Sequence, residues 1–360
     1  MRTPIVAALP FVLCATVTVL SGPAFSQQPV TPGGAGRALR QDVFPDSRRD
    51  VPSARSVRGP ILGFAVDDAD GVRLIRGMPG AASFSAPVAS VRGLAAWAVS
   101  SERGYILGVP DRAGRLVLLR NLDALPERVE LPADAGPGTL IALSPLGSAA
   151  AVFDAAGNRL IVFGGLPDHP FPRWRLATDA LPGPIQALAV ADEGGAVLAA
   201  AGKALVRLRP AAAWEFVAPL AGSARLAFVP GRDEAVYLDG VALEAALVRF
   251  TASGVSLEPL FGGRDGLREP VAVAVGSDAR IVYVADAALP GVYAFDLRSH
   301  ILSTVRSPHE PVTLARLRGA RLFRLTTGAS GPVYLYDGSR GAPHVAFIPA
   351  AVDAIGGGEK

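Results

Sequence analysis

The stretch EPVAVAVGSDARIVYVADAALPGVYAFDL, residues 269–297, contains three short apolar runs. Gly-Ser-Asp follows the first run, and Leu-Pro-Gly precedes the third. Apolar runs of this length that end at Gly, Pro or Asp are typical of β-strands joined by tight turns. The stretch shows no sustained apolar stripe at the 3.6-residue period of a helix. We therefore predict a succession of antiparallel strands here.

The same runs recur along residues 57–350. Taking one apolar residue from each copy of the third run, the equivalents are Leu119, Phe163, Leu208, Phe250, Phe295 and Tyr336, at steps of 44, 45, 42, 45 and 41 residues. A period near 44 residues that contains four short strands has the size of a β-propeller blade. The first run is rich in Ala, as at 94–100 and 271–277, which suits an innermost strand beside a crowded central axis. The sequence thus predicts an all-β fold, a β-propeller.

The register gives six full blades between Val91 and Ala350, preceded by one more strand pair at 60–66 and 72–77. We expect seven four-stranded blades with a degenerate first blade; six blades plus an N-terminal hairpin are the alternative. The expected blades span 57–88, 89–137, 138–182, 183–222, 223–269, 270–310 and 311–350. Because open sheet edges invite aggregation, we expect strands from the two chain ends to pair, with residues 344–349 near the first blade.

Residues 269–297 resemble the repeat of YVTN-type and related NHL and lactonase-like propellers. The resemblance lies in a Pro-Val-Ala-Val inner strand, a Ser-x-Asp turn, a Val-Tyr-Val-Ala-Asp strand and a Val-x-x-Phe-Asp strand. Residues 140–163 match more weakly. The resemblance implies propeller architecture over most of residues 90–350, but such propellers include enzymes, binding proteins and scaffolds. Calcium-type lactonase-like relatives hold their metal with Glu, Asn and Asp oxygens. Here Asn121 and Asn158, the only asparagines, both stand in turn contexts, so we do not carry that site over.

Residues 1–26 are predicted to be a signal peptide, with Arg2, an apolar run from Ile5 to Leu20 and a small-x-small end at Ala24-Phe25-Ser26. A retained membrane anchor or a lipidated Cys14 are the alternatives. Residues 27–56, rich in Gln, Pro, Gly and charge, are predicted to be a flexible leader, and residues 351–360 a disordered tail. The expected location is periplasmic or extracellular in a bacterium, with no membrane span after cleavage.

Cys14 is the only cysteine, so the mature chain would have neither a disulfide nor a thiolate site. Cleavage of the signal peptide removes Arg2 and lowers the net charge from +3 to +2. The arginines are scattered and form no basic cluster, which argues against a nucleic-acid partner. No nucleophile elbow, phosphate loop or paired-histidine metal motif occurs. We therefore expect a monomer without cofactor, catalytic residues or metal ligands.

Two blade entries contain the same tripeptide, Glu269-Pro270-Val271 and Glu310-Pro311-Val312, and Arg268 and His309 precede them. Entry loops lead into the innermost strands and surround the central channel. Candidate ligand-binding residues on one face are therefore Arg268, Glu269, His309, Glu310 and, at an early blade, Arg92. An Arg–carboxylate network that only fixes the loops is the alternative interpretation.

The favoured function is an exported, non-enzymatic binding or interaction scaffold that recognises a protein, peptide or glycan through loops on one face. The irregular loop 166–175, with three prolines, Phe171 and Trp174, supports partner recognition. The alternatives are a lactonase-like hydrolase or lyase with its site at the channel mouth, and a purely structural role in the cell envelope.

Overall fold

The computed structural model describes residues 59–210, 214–252, 254–329, 331–339 and 342–350. The predicted signal peptide, leader and tail lie outside these residues. The described chain forms seven antiparallel sheets in a ring, a seven-bladed β-propeller, which confirms the predicted fold class. No helix in this part of the chain has the length and apolar character needed to span a membrane.

Each blade is a meander in which strands that are consecutive in sequence pair with one another. Blade 1 contains β1 (Ile61–Val66), β2 (Gly71–Arg76) and β3 (Ser83–Ser90). Blade 2 contains β4 (Leu94–Ser100), β5 (Tyr105–Pro110), β6 (Gly114–Arg120) and β7 (Glu127–Ala135). Blade 3 contains β8 (Leu140–Leu143), β9 (Ala150–Asp154), β10 (Arg159–Gly164) and β11 (Phe171–Ala177). Blade 4 contains β12 (Ile185–Val190), β13 (Val197–Ala201), β14 (Ala204–Leu208) and β15 (Glu215–Pro219).

The remaining blades follow the same plan. Blade 5 contains β16 (Ala224–Phe228), β17 (Glu234–Asp239), β18 (Glu244–Thr251) and β19 (Gly254–Gly262). Blade 6 contains β20 (Pro270–Val275), β21 (Ile281–Asp286), β22 (Gly291–Asp296) and β23 (Leu302–Arg306). Blade 7 contains β24 (Ala315–Arg316), β25 (Leu322–Arg324), β26 (Val333–Asp337) and β27 (His344–Ile348). Short 3-10 turns occur at Asp192–Gly194 and Gly263–Asp265.

The core lies between neighbouring blades. The second and third strands of a blade are buried on both faces, as in β13 and β14, where every residue is buried. Their side chains pack against the adjacent blade, so one cluster combines Val162 of blade 3 with Val197 of blade 4. The Ala-rich runs do form the innermost strands, and those of adjacent blades contact one another. This two-sided burial explains why the strands are nearly continuous apolar runs.

The repeat register differs from the prediction in blade 5. In blade 4 Leu208 pairs with Val197, and in blade 6 Phe295 pairs with the equivalent residue, Val282. In blade 5 the residue in that position is Val248, which pairs with Ala235, so the choice of Phe250 was wrong by two residues. The reason is that β18 and β19 continue as a hairpin beyond the start of β17, which adds apolar residues that mimic the repeat.

Blade 1 has no inner strand among the described residues, and blade 7 covers the exposed edge of β1. Residues in alternate positions on a strand direct their backbone groups to the same edge. On that edge the carbonyls of Leu62, Phe64 and Val66 accept hydrogen bonds from blade 7. The donors are the Arg318 amide at 2.6 Å, the Arg324 guanidinium at 3.1 Å and the Ala329 amide at 3.1 Å. Three hydrogen-bond donors from blade 7 thus take the place of the backbone amides that an inner strand would offer to this edge of β1.

Blades 7 and 2 also touch directly where the inner strand of blade 1 would lie. The Arg318 guanidinium donates to the Ser101 carbonyl at 2.8 Å and to the Asp123 carboxylate at 3.0 Å, both in blade 2. A Cβ atom on Gly63 would be 2.5 Å from the Leu317 side chain and 2.7 Å from the Ser101 hydroxyl. Blades 7 and 2 therefore approach β1 so closely that position 63 has no room for a side chain.

Ring closure by strand pairing between the chain ends was expected and is not observed within the described residues. No described sheet contains strands from both blade 1 and blade 7 beyond the single parallel bridge Val66–Gly328. The expected proximity is present, because Ile348 belongs to the same buried cluster as Leu62 and Ile75. Within the described residues, the ring closes through side-chain packing and edge hydrogen bonds rather than through a shared sheet.

Replacing Arg324 should weaken this closure. Arg324→Met keeps the apolar stem but leaves the buried Phe64 carbonyl without a donor, so we expect the free energy of unfolding in urea to fall by about 1–3 kcal/mol. The control is Arg249→Met, which removes an exposed arginine paired with Glu234 and Glu258 and should cost at most about 1 kcal/mol. Equal effects of the two substitutions would contradict this role of Arg324.

Candidate interaction face at the blade entries

A buried carboxylate holds the entry loop of blade 6. Asp286 is 0% exposed at the end of β21. Its oxygens accept backbone N–H bonds from Arg268 at 2.7 Å, Glu269 at 2.9 Å and Leu289 at 3.0 Å. One side chain therefore links the entry loop to the turn between the second and third strands. A carboxylate that accepts several backbone N–H groups is a strong, charge-assisted anchor.

Blade 5 repeats this device. Asp239 at the end of β17 is buried and accepts N–H bonds from Ala221 at 2.6 Å and from Val241 and Ala242 at 2.9 Å. The two aspartates occupy the same position in the blade, so the arrangement belongs to the fold as a repeated unit. It explains why an Asp ends the second strand in both blades.

The entry loop of blade 6 is fixed at two further points. Leu267 is fully buried, and the Tyr293 hydroxyl donates to the Gly266 carbonyl at 2.8 Å. The side chains of Arg268 and Glu269, in contrast, are exposed. A well-anchored backbone thus presents two charged side chains to solvent.

The entry loop of blade 7 is organised differently. The Ser307 hydroxyl donates to the His309 carbonyl at 2.6 Å and accepts from the His309 amide at 3.3 Å. The His309 ring stacks on Tyr334 with centroids 5.3 Å apart, and its Nδ1 lies 3.0 Å from the Glu310 carbonyl. His309 and Glu310 are both exposed.

The loops that enter the inner strands and the turns between second and third strands lie at the same end of each meander; we call this end the entry-loop face. Blades 6 and 7 are neighbours, because Tyr283 and Phe323 share one core cluster. The structure therefore puts all four predicted residues of these two blades on one face. Exposed apolar side chains accompany them: Leu289 is 54% and Val312 is 52% exposed.

Direct contact among the predicted residues is not observed in the described part of the chain. No hydrogen bond or ion pair there joins Arg268 or Glu269 to His309 or Glu310, and no ion pair involves any of the four. Arg92 is exposed at the entry of blade 2, and blade 1 separates it from blade 7. The shared ligand site stays a prediction, while the loops themselves are fixed by Asp286 and Ser307 rather than by an Arg–carboxylate network.

The expected irregular loop 166–175 is shorter in the structure, because residues 171–175 belong to the outer strand β11, which packs against blade 4. Trp174 is buried, and its indole N–H donates to the Gly194 carbonyl of blade 4 at 2.8 Å. Phe171 stays half-exposed. Because this loop joins the third strand to the fourth, it lies at the opposite end of the meander from the entry-loop face.

Metal chemistry finds little support in the described side chains. No group of three or more His, Cys, Asp or Glu residues there is arranged to hold a metal ion. His169, His300, His309 and His344 are all exposed and lie in separate loops or strand ends.

Sequence reasoning missed two groups. Asp286 and Asp239 were overlooked, although an Asp that recurs at the end of the second strand could have revealed them. Arg316 was also overlooked: it is an arginine in an inner-strand position where the other blades place apolar residues, and its side chain enters the central channel.

Comparisons with known proteins support the fold alone. No family model matches the chain, and no curated protein matches it. Among solved structures, a functionally unknown protein from Desulfotomaculum acetoxidans aligns with a TM-score of 0.56 and 13% identity, over 81% of this chain and 100% of that one. A protein assigned provisionally as a 6-phosphogluconolactonase from Bacteroides uniformis aligns with a TM-score of 0.54 and 13% identity, over 81% of this chain and 96% of that one. An inactive variant of virginiamycin B lyase from Staphylococcus aureus, solved with quinupristin, aligns with a TM-score of 0.50 and 13% identity, over 71% of this chain and 84% of that one. The resemblance to lactonase-like propellers is thereby confirmed as a resemblance of fold.

Removing the charge of Asp286 should loosen the entry loop of blade 6. Asp286→Asn leaves one acceptor oxygen for three N–H groups, so we expect a loss of about 1.5–3 kcal/mol in the free energy of unfolding measured with urea. Asp278→Asn is the matched control, because Asp278 pairs with Arg321 near the surface and should cost at most about 1 kcal/mol. A loss no larger than that of the control would contradict the anchoring role.

Proposed function

We propose that this protein is an exported, non-enzymatic β-propeller that binds a protein, peptide or glycan partner through its entry-loop face. Export rests on the signal-like residues 1–26 of the sequence. The choice of face rests on blades 6 and 7, where the loops combine a fixed backbone with exposed charges that form no ion pair with another described residue.

The observation that carries the proposal is the contrast between backbone and side chain in the blade 6 loop. Asp286 fixes the amides of Arg268 and Glu269, yet both side chains extend into solvent. A loop that is already ordered loses little conformational entropy when it binds, so more of its contact energy appears as affinity. Exposed charges without an intramolecular partner are also available for a partner's charges.

The apolar neighbours complete a recognition surface. Leu289 projects from the turn that Asp286 also anchors, and Val312 follows Glu310 in the next blade. Apolar contacts surrounded by charged groups resemble the composition of protein interfaces, where burial supplies affinity and charge supplies specificity. A protein, peptide or glycan fits such a surface better than a small apolar molecule, which requires a deep pocket.

A binding selection tests this function. The mature chain, residues 27–360, is used to select ligands from a random dodecapeptide library and from a glycan array. We expect selected ligands to lose at least about tenfold in affinity for Arg268→Ala/Glu310→Ala, which corresponds to about 1.4 kcal/mol. The matched control is Glu102→Ala/Arg298→Ala, which removes one Arg and one Glu from exposed turns at the opposite end of the meanders.

Both double variants leave the net charge unchanged, so a change in overall charge cannot explain a difference in binding between them. The proposal is wrong if the selected ligands bind the entry-loop variant normally, or if the control variant loses as much affinity.

The lactonase-like hydrolase or lyase is tested in parallel. Enzymes of the calcium type would need a cation near Glu269 and Glu310, and a bound cation raises the stability of the native state. For a binding scaffold we expect calcium to leave the melting temperatures of the wild type and of Glu269→Ala/Glu310→Ala unchanged. A calcium-dependent rise that only the wild type shows would favour the enzyme instead.

A further inference from the structure

One inner-strand position differs in blade 7 from all the other complete blades. It is the residue that pairs with the second strand next to the hairpin turn, and in blades 2–6 it is apolar: Val99, Leu143, Val190, Phe228 and Val275. In blade 7 the residue is Arg316, which pairs with Phe323. A long cation has therefore replaced an apolar side chain at a position beside the central axis.

Arg316 crosses the channel. Its Nη1 donates to the Pro145 carbonyl of blade 3 at 2.6 Å, and its Nη2 donates to the Val275 carbonyl of blade 6. Blade 3 lies across the ring from blade 7, so the guanidinium spans the channel near the hairpins that join first and second strands. A guanidinium has five N–H donors, and these two bonds leave donors for a ligand.

A cavity of about 270 Å³ adjoins the guanidinium. The inner strands of blades 3–6 form its wall, which is mainly aliphatic: Ile141, Leu143, Leu188, Leu226 and Val273. Sites for drug-sized ligands have roughly 300–1,000 Å³, so this cavity fits a smaller molecule. Arg316 is the charged residue in the lining.

The charge of Arg316 is not neutralised by a close partner. Among the described residues no carboxylate lies within 4 Å of its guanidinium; Asp192, Glu102 and Asp278 favour its charged form from farther away. Burial lowers the pKa of Arg316 more than these acids raise it. A cation in a largely apolar site is costly unless an anion pairs with it.

Arg225 adds a second positive charge to the inner strands. Its Nε donates to the Val271 carbonyl at 3.0 Å, which links the inner strands of blades 5 and 6. The residues that occupy this pairing position in blades 2, 4 and 6 are alanines: Ala96, Ala187 and Ala272. The inner ring therefore contains two arginines, neither of which has an ion-pair partner among the described residues.

We propose that the central channel binds a small organic anion, with a carboxylate on Arg316 and an apolar portion against Leu188, Leu226 and Val273. The planar guanidinium presents paired donors that match a carboxylate, and the aliphatic wall favours a compact apolar body over a bare inorganic ion. This site lies inside the ring and is independent of the partner proposed for the entry-loop face.

Benzoate is the probe, and benzyl alcohol, which has the same ring without the charge, is its control. Isothermal titration and thermal shift are measured on residues 27–360 of the wild type, of Arg316→Met and of Arg280→Met. We expect one benzoate per wild-type chain, a higher melting temperature with benzoate, and at least tenfold weaker binding to Arg316→Met. Arg280→Met, which removes an exposed cation paired with Asp296, should bind benzoate like the wild type.

A second variant keeps the test decisive if Arg316→Met does not fold. Leu226→Phe retains Arg316 but fills part of the cavity, so benzoate should bind at least tenfold more weakly to this variant. The affinity for sulfate, an inorganic anion without an apolar portion that serves as a further control, should not change. The proposal is overturned if the wild type does not bind benzoate at concentrations up to about 10 mM, which is near the weakest affinity that such titrations resolve. Equal binding of benzoate and benzyl alcohol, or of benzoate and sulfate, would overturn it as well.

Discussion

Three carbonyl oxygens on one edge of β1 set the conditions under which this propeller can close. An open strand edge in the interior of a ring would leave buried acceptors without donors, and each would cost about 1–3 kcal/mol. Blade 7 supplies the donors from two backbone amides and the Arg324 guanidinium. The same constraint explains two other features. Where an inner strand would lie, blades 7 and 2 come so close together that position 63 must be a glycine, and Arg318 of blade 7 contacts blade 2 directly.

The repeat made most of the fold predictable. Short apolar runs near a 44-residue period indicate blades because two-sided burial leaves a strong, simple pattern in sequence. The same simplicity caused the error at Phe250, since Val248 and Phe250 are both apolar and only pairing with β17 distinguishes them. Closure was beyond prediction for a different reason. Arg324 donates a hydrogen bond to the carbonyl of Phe64, 260 residues earlier in the chain, and the spacing of residues in the sequence does not reveal such a contact.

The candidate surface was predictable only in part. The two Glu-Pro-Val tripeptides correctly identified the loops that enter blades 6 and 7, because each precedes a run with the inner-strand pattern. What fixes those loops was not evident: Asp286 acts through backbone amides, which any sequence provides, and Ser307 acts on its near neighbours. Arg316 could have been found by comparing equivalent positions across blades, since a charge among apolar equivalents indicates a local function.

Native-state hydrogen exchange of two backbone amides tests the closure most directly. The amides of Arg318 and Ala329 donate to β1, so their exchange should require the ring to open. We predict that both exchange with free energies close to those of amides in the central strand β21 of blade 6. Exchange at nearly unprotected rates, while β21 stays protected, would show that blade 7 does not seal the edge of β1 and would contradict this account of ring closure.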